Sequence, residues 1–140
     1  MDLISQLKEE HVQITRSFVA LKDGLKVKKV EDHDFSSEIQ NLQTVLVSHL
    51  NLEDQLLYPF FKNSKQEELI SLGKSFSDEM GKIAKAALAF FAKYGEDNLV
   101  TIKNKPQFQK ELLGIITVVI KRVHVEESIL FPAYENYQKK

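Results

Sequence analysis

Five residues that could bind a metal ion or form a buried ion pair stand where the surrounding sequence is apolar. They are His11, His49, Glu53, Arg122 and Glu126. Charged side chains are rarely buried unless they are paired or bound to a metal. His49 and Glu53 are spaced i and i+4, so both lie on one face of a helix and could reach the same cation. Arg122 cannot be a ligand because its guanidinium stays protonated, so we expect an ion pair with Glu53, Glu126 or both.

Each of these residues also has a purely structural explanation. A single histidine on an apolar stripe, such as His11, is more often a hydrogen-bonded core residue than a ligand. A His–Glu pair at i, i+4 is also common on helix surfaces. What favours a shared site is that all five residues interrupt apolar stripes near one level of the fold that the spacing predicts.

Apolar residues three and four apart predict four helices, which we label A to D. Helix A covers residues 2–26, helix B covers 36–62, helix C begins with a capping box at Ser64 and stops before Gly95, and helix D begins near Pro106. The inward stripes are predicted to be Ile4, Leu7, Ile14, Phe18, Leu21 and Leu25 in A; Ile39, Leu42, Leu46, Leu56 and Phe60 in B; Leu69, Leu72, Phe76, Ile83, Ala87 and Phe90 in C; and Leu112, Ile115, Val119 and Ile129 in D.

The second half of the chain repeats the pattern of the first. A shift of 73 residues places Glu53 on Glu126 and His49 on Arg122, and helix A aligns with helix C so that His11 falls on Met80. Two helical hairpins with short connections predict an all-α, up-down-up-down four-helix bundle. At 140 residues we expect one domain spanning 1–140.

Composition narrows the functional classes. A net charge of -1 gives no reason to expect a nucleic acid as partner, and no apolar run is long enough for a membrane span. The chain has no cysteine, which excludes thiolate ligands and iron–sulfur clusters and leaves His, Asp and Glu as metal ligands. No signal peptide is evident, so we expect a cytoplasmic protein. The sequence contains no nucleophile–base pair and no phosphate-binding loop, so an enzyme is the function that it supports least.

The run from His49 to Pro59, its counterpart from Glu126 to Pro132, and the sequence around His11 resemble the hemerythrin-like (HHE cation-binding) family. The resemblance covers nearly the whole chain. It implies a four-helix bundle that holds two non-haem irons through histidines from all four helices and two bridging carboxylates. It further implies that His11, His49 and Glu53 are ligands, that Glu126 is a bridging carboxylate, and that the protein binds or senses dioxygen, nitric oxide, iron or redox signals.

The chain departs from this pattern in its second half, where Met80 and Arg122 stand in place of histidines. Two divalent ions beside a fixed guanidinium would leave a large positive charge in a low-dielectric core. We therefore expect at most one metal ion, held by the following residues: His11, His49, Glu53 and Glu126. Iron is the expected ion, and zinc or manganese also suits these ligands. The alternative is a metal-free interaction or regulatory domain in which Arg122 replaces the metal.

Overall fold

The computed structural model describes residues 2–26, 33–95 and 104–138, and its regular structure there is entirely helical. The helices are α1 (Leu3–Gly24), α2 (Phe35–Leu52), α3 (Tyr58–Lys62), α4 (Glu67–Tyr94), α5 (Lys105–Val125) and α6 (Phe131–Gln138). Two π-helical turns, Glu53–Leu57 and Glu126–Leu130, join α2 to α3 and α5 to α6. Predicted helices B and D are thus continuous rods with one π turn each. None of the helices in these ranges is long and apolar enough to cross a membrane.

The ends of the helices follow local side-chain chemistry. The Asp34 carboxylate accepts a hydrogen bond of 3.0 Å from the Ser37 amide at the start of α2, and α4 ends before Gly95 as predicted. The capping box predicted at Ser64 is wrong. Lys65 has a φ of 64°, so the Ser64 hydroxyl accepts from the Gln66 amide in a tight turn, and α4 begins only at Glu67.

A proline follows each inward glutamate by six residues and explains the two π turns. Proline has no N–H, and its ring clashes with the carbonyl four residues earlier, so the α-helical pattern cannot continue through Pro59. The Tyr58 amide instead donates to the carbonyl of Glu53, five residues earlier. Phe131 and Glu126 form the equivalent bond before Pro132.

Each π turn adds one residue to its turn and moves the following residues around the rod. Leu57 and Leu130 are therefore fully buried. The predicted inward positions Leu56 and Ile129 are wrong, because these side chains are 53% and 48% exposed. The prediction assumed an uninterrupted α-helix and therefore did not include this shift.

The four rods form the all-α four-helix bundle that the sequence predicted, with α1 packed on α2, α2 on α4, α4 on α5 and α5 on α1. The core consists of two hydrophobic clusters. The larger includes Phe18, Phe35, Phe90, Phe91 and Phe108. The smaller includes Leu7, Leu57, Phe61, Leu130 and Phe131. On α1, His11 lies between Leu7 of the smaller cluster and Ile14 of the larger, so a polar layer separates the two clusters.

Candidate metal centre

The polar layer brings together ionisable residues from three rods. Each has a relative exposure of 3% or less: Glu10, His11, His49, Glu53, Arg122 and Glu126. Such burial is costly for charged groups unless they pair or bind a cation. The five residues singled out in the sequence all lie in this layer. The structure adds Glu10, which the sequence analysis did not include.

Both histidines direct the same ring nitrogen at one carboxylate oxygen. Nε2 of His11 lies 2.9 Å and Nε2 of His49 lies 3.2 Å from Oε1 of Glu126. The three potential ligand atoms all lie within 4.8 Å of one another, and no other group of this kind occurs among residues 2–26, 33–95 and 104–138. Two imidazole nitrogens and a carboxylate oxygen around one point are a donor set for a transition metal.

A carboxylate holds each histidine from the opposite side of its ring. Nδ1 of His11 is 2.7 Å from Oε2 of Glu127, and Nδ1 of His49 is 3.1 Å from Oε1 of Glu10. The Ser48 hydroxyl donates to the other oxygen of Glu10 at 2.8 Å. Histidines that bind metals usually donate their second N–H to such a partner, which fixes the ring and the tautomer. The two rings are therefore oriented with Nε2 towards the centre.

Sequence reasoning did not identify Glu10 as part of the site. It directly precedes His11, so it lies about 100° around α1 and faces α2 rather than the bundle axis. The available signal was weak: an acidic residue adjacent to an inward histidine. Only the packing of α1 against α2 shows that Glu10 serves His49 on the neighbouring rod.

Glu53 lies beside the three converging groups and is fully buried. Its Oε2 is 3.4 Å from Nε2 of His49 and has no hydrogen-bond partner in the described part of the chain. Burial raises the pKa of Glu53, and the negative charge of Glu126 raises it further. Burial also disfavours ionised Glu126, but hydrogen bonds from His11 and His49 outweigh it and hold the pKa of Glu126 low. The metal-free protein therefore favours a proton on Glu53 over a proton on Glu126.

His49 is protonated in the metal-free protein. Burial opposes its charged form, but hydrogen bonds to the carboxylates of Glu10 and Glu126 outweigh burial and raise the pKa of His49 to about 11. A cation that binds Nε2 of His49 must displace this proton, so metal binding should release protons and strengthen as pH rises.

Arg122 occupies the second half of the layer. Its Nε donates to Oε2 of Glu126 at 2.8 Å, and its Nη2 donates to the Tyr58 hydroxyl and to the Phe76 carbonyl, both at 2.9 Å. The guanidinium also lies 4.5 Å from the centre of the Phe76 ring. Arg122 reaches Glu53 only through Tyr58, whose hydroxyl is 3.5 Å from Oε1 of Glu53. The ion pair is thus with Glu126 alone.

A cavity of about 10 Å³ lies at the centre of the layer, with His11, His49, Met80, Arg122 and Glu126 in its wall. This volume suits one water molecule or one bare metal ion. Two metal ions and their bridging ligand would need more space than Met80 and Arg122 leave.

The family model for the hemerythrin HHE cation binding domain matches residues 2–134. The chain belongs to this family. No curated protein and no solved structure shows a significant match to it. Membership explains why a hemerythrin-like bundle would place cation ligands in its core, and His11, His49 and Glu126 form a candidate group for one cation. The residues do not fit a second ion, because the guanidinium of Arg122 already neutralises the other oxygen of Glu126.

Proposed function

We propose that this hemerythrin-like domain binds a single metal cation through Nε2 of His11, Nε2 of His49 and an oxygen of Glu126. The observation that carries the proposal is the convergence of both Nε2 atoms on one buried carboxylate oxygen. The carboxylates behind the two rings support it, because they hold the nitrogens in place before any ion arrives.

Glu53 supplies the fourth ligand in this proposal. Its buried Oε2 has no hydrogen-bond partner among the described residues and lies 3.4 Å from His49 Nε2, next to where the cation would sit. An approaching cation lowers the pKa of a neighbouring carboxyl group, so Glu53 would lose its proton on binding. Two nitrogens and two oxygens then surround the ion, a set that suits iron, zinc or manganese.

Charge limits the site to one ion. With Glu10, Glu53 and Glu126 ionised, the guanidinium of Arg122 leaves a net charge of -2 among these four buried groups. One divalent ion neutralises this charge, whereas two would leave +2 in a low-dielectric core. Arg122 therefore stands in for the second cation of a two-metal centre, and Glu126 bridges the bound ion and the guanidinium.

The use that we propose for this site is binding or sensing of iron, oxygen or redox signals. It follows from the likeness to hemerythrin-like proteins, with iron as the first ion to test and dioxygen or nitric oxide as its ligands. The bound ion would supply the redox chemistry, and the protein would supply the oriented imidazoles and the fixed positive charge of Arg122.

Metal titration of purified protein tests the proposal. Under anaerobic conditions, the wild type should bind one equivalent of Fe(II) or Zn(II) by calorimetry, with elemental analysis of the loaded protein giving the same ratio. His49→Ala should abolish binding, and Glu126→Gln should weaken it severely. His124→Ala is the matched control because His124 is exposed, and it should bind like the wild type. Absence of any bound metal in the folded wild type would overturn the proposal.

A metal-free interaction or regulatory domain is the second candidate. One observation favours it: the Nε2 atoms of His11 and His49 and both oxygens of Glu126 already have hydrogen-bond or ion-pair partners without a cation. In that case Arg122 replaces the metal, and the polar layer serves only to fix the register of the four rods. The same titration separates the two candidates.

A further inference from the structure

A groove on the outside of the bundle runs between α4 and α5. Its volume is about 450 Å³, which lies in the range of pockets that bind small molecules. Its wall combines apolar and charged side chains, among them Ile83, Val118 and Ile129 with Glu79, Lys121 and Arg122. Val118 and Ile129 are 46% and 48% exposed, so the groove presents apolar surface that a ligand could cover.

Arg122 brings to this groove a hydrogen-bond donor that has no acceptor. The residue is 3% exposed, and its Nη1 has no hydrogen-bond partner in the described part of the chain. Leaving a buried charged donor unpaired is costly, so nearly all such groups in proteins have a partner. The positive charge is fixed, because a guanidinium does not lose its proton in proteins. Nη1 therefore indicates an acceptor that comes from outside the chain.

The planar shape of the guanidinium directs Nη1 away from the polar layer. The Nε–H and Nη2 groups lie on one edge of the plane, and Nε donates from this edge to Glu126 at 2.8 Å. Nη1 lies on the opposite edge, whereas the small cavity of the layer is bounded by Glu126 and the two histidines. The groove is thus the space towards which Nη1 points. Because Nη1 is buried, a ligand must move part of the apolar wall, such as the half-exposed Ile129, to reach it.

Charged side chains on the two walls of the groove indicate which acceptor fits. Lys121 on α5 and Glu79 on α4 are both exposed. The Lys121 ammonium and the guanidinium favour a carboxylate, because hydrogen bonds between charged groups are stronger than those between neutral ones. Arg122 is already paired with Glu126, so Glu79 and Lys121 balance the remaining charge of the groove. A ligand without net charge, whose carboxylate meets the two cations and whose ammonium meets Glu79, matches this arrangement best.

We propose that the groove between α4 and α5 binds a free α-amino acid with an apolar side chain. The ligand carboxylate would accept from Nη1 of Arg122 and pair with Lys121, and its ammonium group would pair with Glu79. Its side chain would cover the apolar wall formed by Ile83, Val118 and Ile129. This ligand site is separate from the cation site, and the inference does not depend on whether a metal binds.

Calorimetric titration of the metal-free wild type with a small set of probes tests the inference. L-leucine and L-phenylalanine should bind, and glycine should bind at least about tenfold more weakly because it has no apolar side chain. Leucinamide lacks the carboxylate and N-acetyl-leucine lacks the ammonium, so each should bind about three- to tenfold more weakly than leucine. Absence of binding of both leucine and phenylalanine to the folded protein would overturn the inference and leave the metal titration unaffected.

Two surface variants locate the ligand without disturbing the core. Lys121→Gln should weaken leucine binding and reduce the preference for leucine over leucinamide. Glu79→Gln should weaken it and remove the preference for leucine over N-acetyl-leucine. Lys85→Gln and Glu68→Gln are the matched controls, because both residues are exposed on α4 outside the groove, and they should bind like the wild type. Unchanged affinity in Lys121→Gln and Glu79→Gln would place any bound amino acid elsewhere and would also overturn the inference.

Discussion

The two hairpins of the bundle have the same backbone geometry but differ in the side chains that they direct inward. The first presents His11, His49 and Glu53, and the second presents Met80, Arg122 and Glu126 at the aligned positions. In both hairpins the glutamate begins a π turn that ends before a proline. The comparison shows that the same backbone geometry positions the layer whether the aligned side chains are histidines or Met80 and Arg122. The guanidinium of Arg122 supplies a fixed positive charge at the position aligned with His49.

The largest expected effect comes from removing that fixed charge. Arg122→Ala removes the guanidinium that pairs with Glu126 and that also donates to the Tyr58 hydroxyl and the Phe76 carbonyl. Breaking a buried ion pair by removing one partner should lower the free energy of unfolding by about 3–5 kcal/mol. Urea denaturation of the metal-free protein measures the loss, with exposed Lys121→Ala as control. A loss no greater than that of the control would show that Arg122 does not stabilise the layer.

The next effect tests whether the π turns shift both hairpins in the same way. Leu57→Ala and Leu130→Ala each remove a fully buried side chain and should cost about 2–5 kcal/mol of unfolding free energy. Leu56→Ala and Ile129→Ala, one residue earlier and half exposed, should change it by less than about 0.5 kcal/mol. Equal losses within either pair would mean that the rod continues as a regular α-helix.

The pH dependence of stability tests whether the first hairpin, unlike the second with its permanently charged Arg122, holds protons that can be lost. The folded, metal-free protein keeps protons on His49, whose pKa is raised to about 11, and on Glu53, whose pKa is also raised by burial. The unfolded chain releases both protons at lower pH, so the free energy of unfolding should fall as pH rises from 7 to 9, by roughly 1 kcal/mol per pH unit for the His49 proton. Thermal melts across this range measure the slope. His49→Gln should flatten it, and a rising or constant wild-type stability would contradict the assignment.

A smaller effect distinguishes the carboxylates that hold the two histidines. Glu10→Gln should weaken metal binding by about 10- to 100-fold, since the loss of such a partner leaves the imidazole less basic and less well oriented. Glu127→Gln should weaken it less, because Glu127 is 40% exposed and water can replace part of its bond to His11. Calorimetric titration with Zn(II) gives the affinities, and exposed Glu9→Gln serves as control. Identical affinities in all three variants would exclude an orienting role.

Much of the fold was predictable because helical spacing and an internal repeat carry the information. Three-and-four spacing of apolar residues identified all four rods, and the polar interruptions of that spacing identified His11, His49, Glu53, Arg122 and Glu126 as inward residues. Burial of a charged residue on an apolar stripe follows from the geometry of one helix. No knowledge of the neighbouring rods is needed.

What could not be predicted depends on departures from ideal geometry or on contacts between rods. Leu56 and Ile129 were assigned to the core because the spacing assumed an uninterrupted α-helix, although Pro59 and Pro132 offered a signal for the π turns. The failed capping box depends on the positive φ of Lys65, a conformation that few side chains favour. Glu10 serves a histidine on another rod, so no pattern within α1 reveals its partner.

The stoichiometry of metal binding in a variant that restores the second hairpin tests the central claim most directly. Met80→His combined with Arg122→His removes the guanidinium and supplies two imidazoles at the positions aligned with His11 and His49. Anaerobic titration with Fe(II), followed by elemental analysis, should give one ion per chain for the wild type and two for the double variant. A double variant that folds but binds no more metal than the wild type would contradict the account of Arg122 and Met80 as the residues that close the second site.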